Sequence, residues 1–228
     1  ALARAVHLAR SGRPGPVVLA LPEDVLSGEA FAAPEPPRPV QRRGLDAAQL
    51  ADICERLARA EKPLLVLGGG GTSDTMCRDV EQFARRNHLP VMVAWRRNDA
   101  FDNDHPCFGG ALGLSAHPEI WSLADEADCV LVVGARLDEP TTRGYTLWRD
   151  GRARELLHVY PEAQDIGRNY AADLGVRADI GETLAALATA TLDGGDARAP
   201  WCARVNAAWR ASTTPPRVEG GLDPGEVM

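Results

Sequence analysis

Three uninterrupted apolar runs constrain the fold of this chain most: Leu64-Leu65-Val66-Leu67, Val91-Met92-Val93-Ala94 and Cys129-Val130-Leu131-Val132-Val133. A strand with one wet face alternates apolar and polar residues, whereas a run without alternation must be covered on both faces. Stretches of helical length separate the runs, and their apolar residues recur at three- and four-residue spacing. Strands alternating with amphipathic helices predict an α/β domain with a parallel sheet between two helical layers, and right-handed crossovers make it doubly wound. Ligands of such sheets bind beyond the carboxyl ends of the strands.

The remaining elements fit this scheme. Asp46 is placed to cap a helix through about Ala60, with Leu50, Ile53, Cys54 and Leu57 on one face. Further helices are expected from about Ser73 to Asn87, from about Pro118 to Asp125 and from about Gly181 to Ala190. A short segment around Cys107 to Leu112, the run Leu156 to Val159 and the weaker Leu174-Gly175-Val176 supply further strands.

Before this domain, Ala1 to Gly12 reads as an amphipathic helix and Val17 to Leu21 as a short strand closed by Pro22. Residues 1–26 are expected to be the end of a preceding domain. Residues 27–44, with Pro34, Pro36, Pro37 and Pro39, read as an extended linker. The central domain is assigned to 45–190. Residues 191–228 read as a linker with a helix from about Pro200 to Ala211, followed by the start of a further domain over 221–228. With no initiator Met, the chain reads as the middle of something longer.

Composition narrows the functional classes. Hydrophobic residues make up 45% of the 228 residues, enough for a sizeable core. The formal net charge of -7 argues against nucleic acid as a partner, since that binding needs a basic face. No apolar run approaches the roughly 20 residues that span a bilayer, so no membrane partner is expected. The cysteines at 54, 77, 107, 129 and 202 are widely spaced, which points to a reducing compartment, the cytoplasm, and to neither a disulfide framework nor a zinc site.

Several motifs have two readings. Gly68-Gly69-Gly70-Gly71 lies between a strand and a helix, where bare backbone N–H groups and a helix N-terminus can receive a phosphate, or where the chain simply turns tightly. Ser73 stands where a dinucleotide fingerprint has its third glycine, and Trp95-Arg96-Arg97 follows the second strand where that fingerprint needs an acid, so a standard NAD site is not expected. Arg96 and Arg97 can bind phosphate or carboxylate, or pair with Asp99, Asp102 and Asp104. Arg136, after the most apolar strand, can meet a ligand phosphate or carbonyl, or bridge to Asp138 or Glu139. His158 reads as a hydrogen-bonded core histidine. No catalytic residue and no metal constellation is identified.

Taken together, the pieces resemble the thiamine-diphosphate-dependent enzymes of the acetolactate synthase and benzoylformate decarboxylase type. Ser11-Gly12-Arg13-Pro14-Gly15-Pro16-Val17-Val18-Leu19 and Leu21-Pro22-Glu23-Asp24-Val25 look like the end of their pyrimidine-binding domain. Lys62 to Gly70, Leu89-Pro90-Val91, Gly134-Ala135-Arg136-Leu137-Asp138, Asp165-Ile166-Gly167-Arg168-Asn169 and Ala178-Asp179-Ile180 are similar, in order, to motifs of their central domain. The resemblance implies a six-stranded, Rossmann-like parallel sheet in an enzyme that acts on a 2-oxo acid by decarboxylation or carboligation. It implies thiamine diphosphate and magnesium in the full-length protein, held outside this chain, which has no Gly-Asp-Gly stretch. The piece alone is then expected to be inactive. Its partners would be its own flanking pyrimidine- and diphosphate-binding domains and, at full length, further copies of itself in a homo-oligomer.

By the same resemblance the central domain is structural or binds FAD or ADP, with Gly68, Gly69, Gly70, Gly113, Arg136 and Asp179 lining the site. Two departures stand out: His158-Val159 continues into Tyr160-Pro161-Glu162 rather than an aspartate pair, and the loop from Trp95 to Phe108 carries the arginine pair. The other reading is a stand-alone nucleotide-binding module of electron-transfer or sirtuin-like type.

Overall fold

The computed structural model describes residues 1–214 apart from 30, 32, 34, 35, 37, 38, 70 and 71, so the helix start expected over 221–228 lies outside the described residues. In chain order the elements are α1 (Leu2–Arg10), α2 (Glu23–Leu26), α3 (Ala47–Arg59), β1 (Pro63–Leu67), α4 (Asp74–Asn87), β2 (Val91–Val93), β3 (Phe108–Ala111), α5 (Pro118–Glu126), β4 (Cys129–Val133), β5 (Glu155–Tyr160), β6 (Leu174–Arg177), α6 (Ile180–Ala188) and α7 (Gly195–Ser212). The six strands form one sheet in the order β3-β2-β1-β4-β5-β6, and every pairing is parallel. This is the doubly wound, Rossmann-like arrangement, whose strand order reverses between β1 and β4.

The apolar runs divide by parity, because successive side chains of a strand point to opposite faces. Leu65, Leu67, Leu131 and Val133 pack with Ile53 and Leu57 of α3, Phe83 of α4 and Leu184 of α6. Leu64, Val66, Val130 and Val132 pack with Leu123 of α5 and Trp201 and Val205 of α7. Each such fully buried side chain contributes about 1.5–3 kcal/mol relative to exposure.

Local chemistry sets the helix starts. Asp46 and Gln49 form a capping box on α3: the Asp46 carboxylate accepts from the Gln49 N–H at 2.8 Å and the Gln49 side chain accepts from the Asp46 N–H at 3.0 Å. Ser73 caps α4 through the Met76 N–H, and Asp179 caps α6 through the Glu182 N–H. α4 ends where His88 takes a left-handed φ of 48°.

The structure differs from the sequence reading in two places. Val17 to Leu21 is not a strand; it has no ladder partner among the described residues, and Val18 is 91% exposed. Apolar composition supplies side chains for a strand but not the neighbouring backbone that a strand needs. α7 starts at Gly195, ahead of the expected Pro200, and packs on β3 and α5 as part of the central core. Arg198 anchors this first turn. It is 2% exposed, and its guanidinium donates to the carbonyls of Asn87, Leu192 and Asp193 at 3.2, 3.3 and 2.7 Å.

Candidate functional site

A cleft of about 290 Å³ opens at the carboxyl ends of β1, β4, β5 and β6, at the point where the strand order reverses. Its floor is backbone, at Gly69 after β1 and Gly134 after β4. Tyr160 and Arg177, the last residues of β5 and β6, form one side, and Asp179 with the first residues of α6 forms the end. The outer wall comes from two segments before the sheet: Arg10, Gly12 and Pro14, and the stretch Val40 to Arg43.

This outer wall is tied down by polar contacts. The Arg13 N–H donates to the Glu162 carboxylate at 3.2 Å, and the Asp179 N–H donates to the Arg43 carbonyl at 2.7 Å. Arg42 Nε lies 3.9 Å from the Asp179 carboxylate. Arg177 donates to the Pro161 carbonyl at 3.1 Å.

Electrostatically the cleft is a cation-rich rim. Arg10, Arg42, Arg43 and Arg177 surround it, with Asp179 as the one carboxylate among the described lining residues. All four arginines are solvent-accessible, so their charge is available to an incoming anion. The α6 N-terminus adds free N–H groups and a favourable dipole at the same end. Burial pushes the Tyr160 phenol up, which keeps it a neutral donor beside these cations. The arrangement can receive an anion at the rim, where the arginines converge.

The residues expected from the sequence to share one site fall in different places. Gly69 and Asp179 line the cleft. Gly68 is buried just beneath it, and a Cβ there would overlap the Gly134 carbonyl, so its bareness serves the close approach of two loops. Gly70 lies outside the described residues. Gly113 is buried under the Trp95 ring, away from the cleft lining; a Cβ there would meet Trp95 Cδ1 at 2.7 Å. Arg136 is exposed and outside the lining, though its charge acts on Tyr160.

No carboxylate pairs with Arg96, Arg97 or Arg136 among the described residues. His158 Nε2 lies 2.8 Å from the Ala135 carbonyl, and burial lowers its pKa, so it is a neutral core donor.

Sequence reasoning missed the rim. Arg10, Arg42, Arg43 and Arg177 come from three separate segments with no shared local pattern. The available signal was positional: Tyr160 and Arg177 end their strands, on the edge of the sheet where ligands bind.

Fold and crevice together define the class of doubly wound α/β domains with an open switch point. The chain belongs to the family described as thiamine pyrophosphate enzyme, central domain, which matches residues 50–187. It is 32% identical over 245 residues to the acetolactate synthase large subunit of Parasynechococcus marenigrum (strain WH8102), covering 100% of this chain and 38% of that protein. It is 32% identical over 189 residues to the glyoxylate carboligase of Escherichia coli O157:H7, covering 82% of this chain and 32% of that protein. It is 28% identical over 228 residues to a 3D-(3,5/4)-trihydroxycyclohexane-1,2-dione hydrolase of Bacillus cereus (strain AH820), covering 92% of this chain and 35% of that protein. The chain thus spans between 32% and 38% of the length of these curated relatives. The family match sets aside the reading as a stand-alone electron-transfer or sirtuin-like module.

Proposed function

We propose that this chain is the central domain of an enzyme that uses thiamine diphosphate and magnesium to decarboxylate a 2-oxo acid or join it to a second carbonyl compound. In this reading the flanking pyrimidine- and diphosphate-binding domains hold the thiamine cofactor and the metal. Thiamine diphosphate would supply the carbanion-stabilising chemistry. The residues of this chain do not fit that role: it contains no Gly-Asp-Gly stretch, and the described residues contain no group of three or more side chains suited to a metal. The domain's own part is to hold the catalytic domains in register and to bind the ADP moiety of a cofactor, as ADP or FAD.

The observation that carries the nucleotide reading is the arginine rim around a glycine-floored crevice at the switch point. A diphosphate there would lie between Arg42, Arg43 and Arg177, above the Gly69 backbone, with Asp179 at the ribose end. Calorimetric titration of the full chain with ADP tests it. Binding is expected, weakened about tenfold by Arg42→Ala or Arg177→Ala, since a charge-assisted contact is worth about 1.4 kcal/mol or more. Absence of binding would remove the nucleotide role and leave the scaffold role. The enzymatic reading is tested separately, by assaying the full-length protein with thiamine diphosphate, magnesium and a panel of 2-oxo acids. A protein turning over none of them would overturn it.

A further inference from the structure

The geometry points to a second binding site, at the amino ends of β5 and β6, for a small organic monocarboxylate with a flat apolar body. The site is a cavity of about 330 Å³, within the roughly 300–1,000 Å³ of small-molecule sites. Leu156, the second residue of β5, and Asp173, just before β6, are in its lining, so it opens at the other end of the sheet from the arginine-rimmed crevice. The two share no described lining residue.

Strained backbone builds one wall. Six described non-glycine residues have a left-handed φ, and four of them, Leu137, Arg143, Tyr145 and Trp148, lie in the connection from β4 to β5. Trp148, at a φ of 60°, lines the cavity. Two hydrogen bonds to α5 hold it: its backbone N–H donates to the Asp125 carboxylate at 2.9 Å, and its indole N–H donates to the Ala124 carbonyl at 2.8 Å. A large side chain kept in so sparse a region is over-determined by its surroundings, and such strain clusters where ligands are held. The connection from β5 to β6 builds the other wall. The Tyr170 ring meets the Trp148 ring edge-on, 5.9 Å between centroids. The Asp173 carboxylate accepts from the Leu156 N–H at 2.8 Å, and the Asp173 N–H donates to the Leu156 carbonyl at 2.9 Å, which pins this wall to β5.

Two polar groups of the lining have unmet capacity. The Tyr170 hydroxyl is buried without a hydrogen-bond partner among the described residues, a state that is unfavourable until something bonds it. The Arg149 guanidinium lies over the Tyr170 ring, 5.2 Å from its centroid, and donates to the Asn169 carbonyl at 3.3 Å. No carboxylate pairs with Arg149 among the described residues. The other two arginines of the lining are engaged: Asp150 pairs with Arg152 at 3.2 Å and with Arg154 at 3.5 Å, and Arg154 also donates to the Ala127 carbonyl at 2.8 Å.

This charge balance selects the ligand. One unpaired guanidinium suits one negative charge, and Asp173 on the same lining repels a second, so a carboxylate is favoured over a phosphate dianion. Trp148, Tyr170 and Leu156 offer the rest of the ligand a flat apolar bed. The carboxylate accepts from Arg149 and from the Tyr170 hydroxyl.

The probe is benzoate, titrated calorimetrically into the full chain, with neutral benzamide and inorganic phosphate as controls. Saturable benzoate binding is expected below about 10 mM, with both controls weaker by roughly tenfold or more. Arg149→Ala is expected to weaken benzoate about tenfold and Tyr170→Phe, which removes only the oxygen, about fivefold. Tyr170→Phe should leave the ligand-free melting temperature equal or higher, because it deletes an unbonded buried group. Arg177→Ala, on the rim of the crevice, should leave benzoate affinity unchanged. No saturable benzoate binding, phosphate binding as tightly as benzoate, an affinity unmoved by Arg149→Ala or by Tyr170→Phe, or an affinity lost with Arg177→Ala would each overturn the site.

Discussion

Gly68 and Gly134 meet backbone to backbone beneath the cleft: a Cβ on Gly68 would overlap the Gly134 carbonyl and the Ala135 nitrogen. These residues directly follow β1 and β4, the two strands on either side of the switch point. Because the obstacle is main chain rather than a flexible side chain, it has no rotamer to yield by. Gly68→Ala is expected to destabilise the domain by at least about 3 kcal/mol, measured as a lowered urea midpoint. Gly69→Ala meets the movable Arg97 instead and should cost much less.

Arg198 is the buried cation that fixes α7 to the rest of the core. It donates to carbonyls of Asn87, Leu192 and Asp193 and has no acid partner among the described residues, and burial lowers its pKa. Arg198→Met keeps the stem's volume and strands those carbonyls. A loss of about 3 kcal/mol is expected, with the first turn of α7 becoming exchange-labile in deuterium-exchange experiments.

Glu126 ties three elements together. Its carboxylate accepts both Arg204 guanidinium nitrogens at 2.7 Å and Lys62 Nζ at 2.9 Å. The Arg204 hydrogen bond, followed by the Lys62 one, holds its pKa down from 4.5 to about 2. A depressed carboxylate contributes its stability above the unfolded value of 4.5 and loses it as pH falls toward about 2. Glu126→Gln is expected to lower stability near neutrality by about 1 kcal/mol and to flatten the acid limb of a stability–pH curve.

Two buried imidazoles give a second pH dependence. Burial lowers the pKa of His105 and of His158 from 6.5. The unfolded chain then takes up protons that the folded chain refuses, so this contribution is complete above 6.5 and declines as pH falls below it. Urea midpoints measured between about pH 7.5 and about pH 5.5 should fall, and His158→Gln should reduce the slope.

The central sheet was legible because its code is local. Runs such as Val130 to Val133 can only be doubly covered strands, and Asp46, Ser73 and Asp179 mark helix starts within one turn of where they occur. Long-range features were not legible. The apolar run at Val17 to Leu21 carries a strand's composition without a strand's neighbour, and α7 begins early because Arg198 finds acceptors more than a hundred residues away at Asn87. The crevice was half legible. Gly69 lies in a recognisable strand-to-helix turn and Asp179 was named through the family resemblance, while the arginines of the rim are brought together by tertiary folding alone.

The two outermost strands also decide how this domain behaves in a crowded solution. β3 pairs with β2 through a register shift between Val91 and Val93 and is overlaid by α7; β6 is four residues long and ends in Arg177, whose guanidinium turns back to the Pro161 carbonyl. Neither border offers a long, flat ribbon of free peptide groups for a stray strand to add to. Among the described residues, lateral sheet growth, the usual first step toward fibrous aggregates, finds no long template at either border.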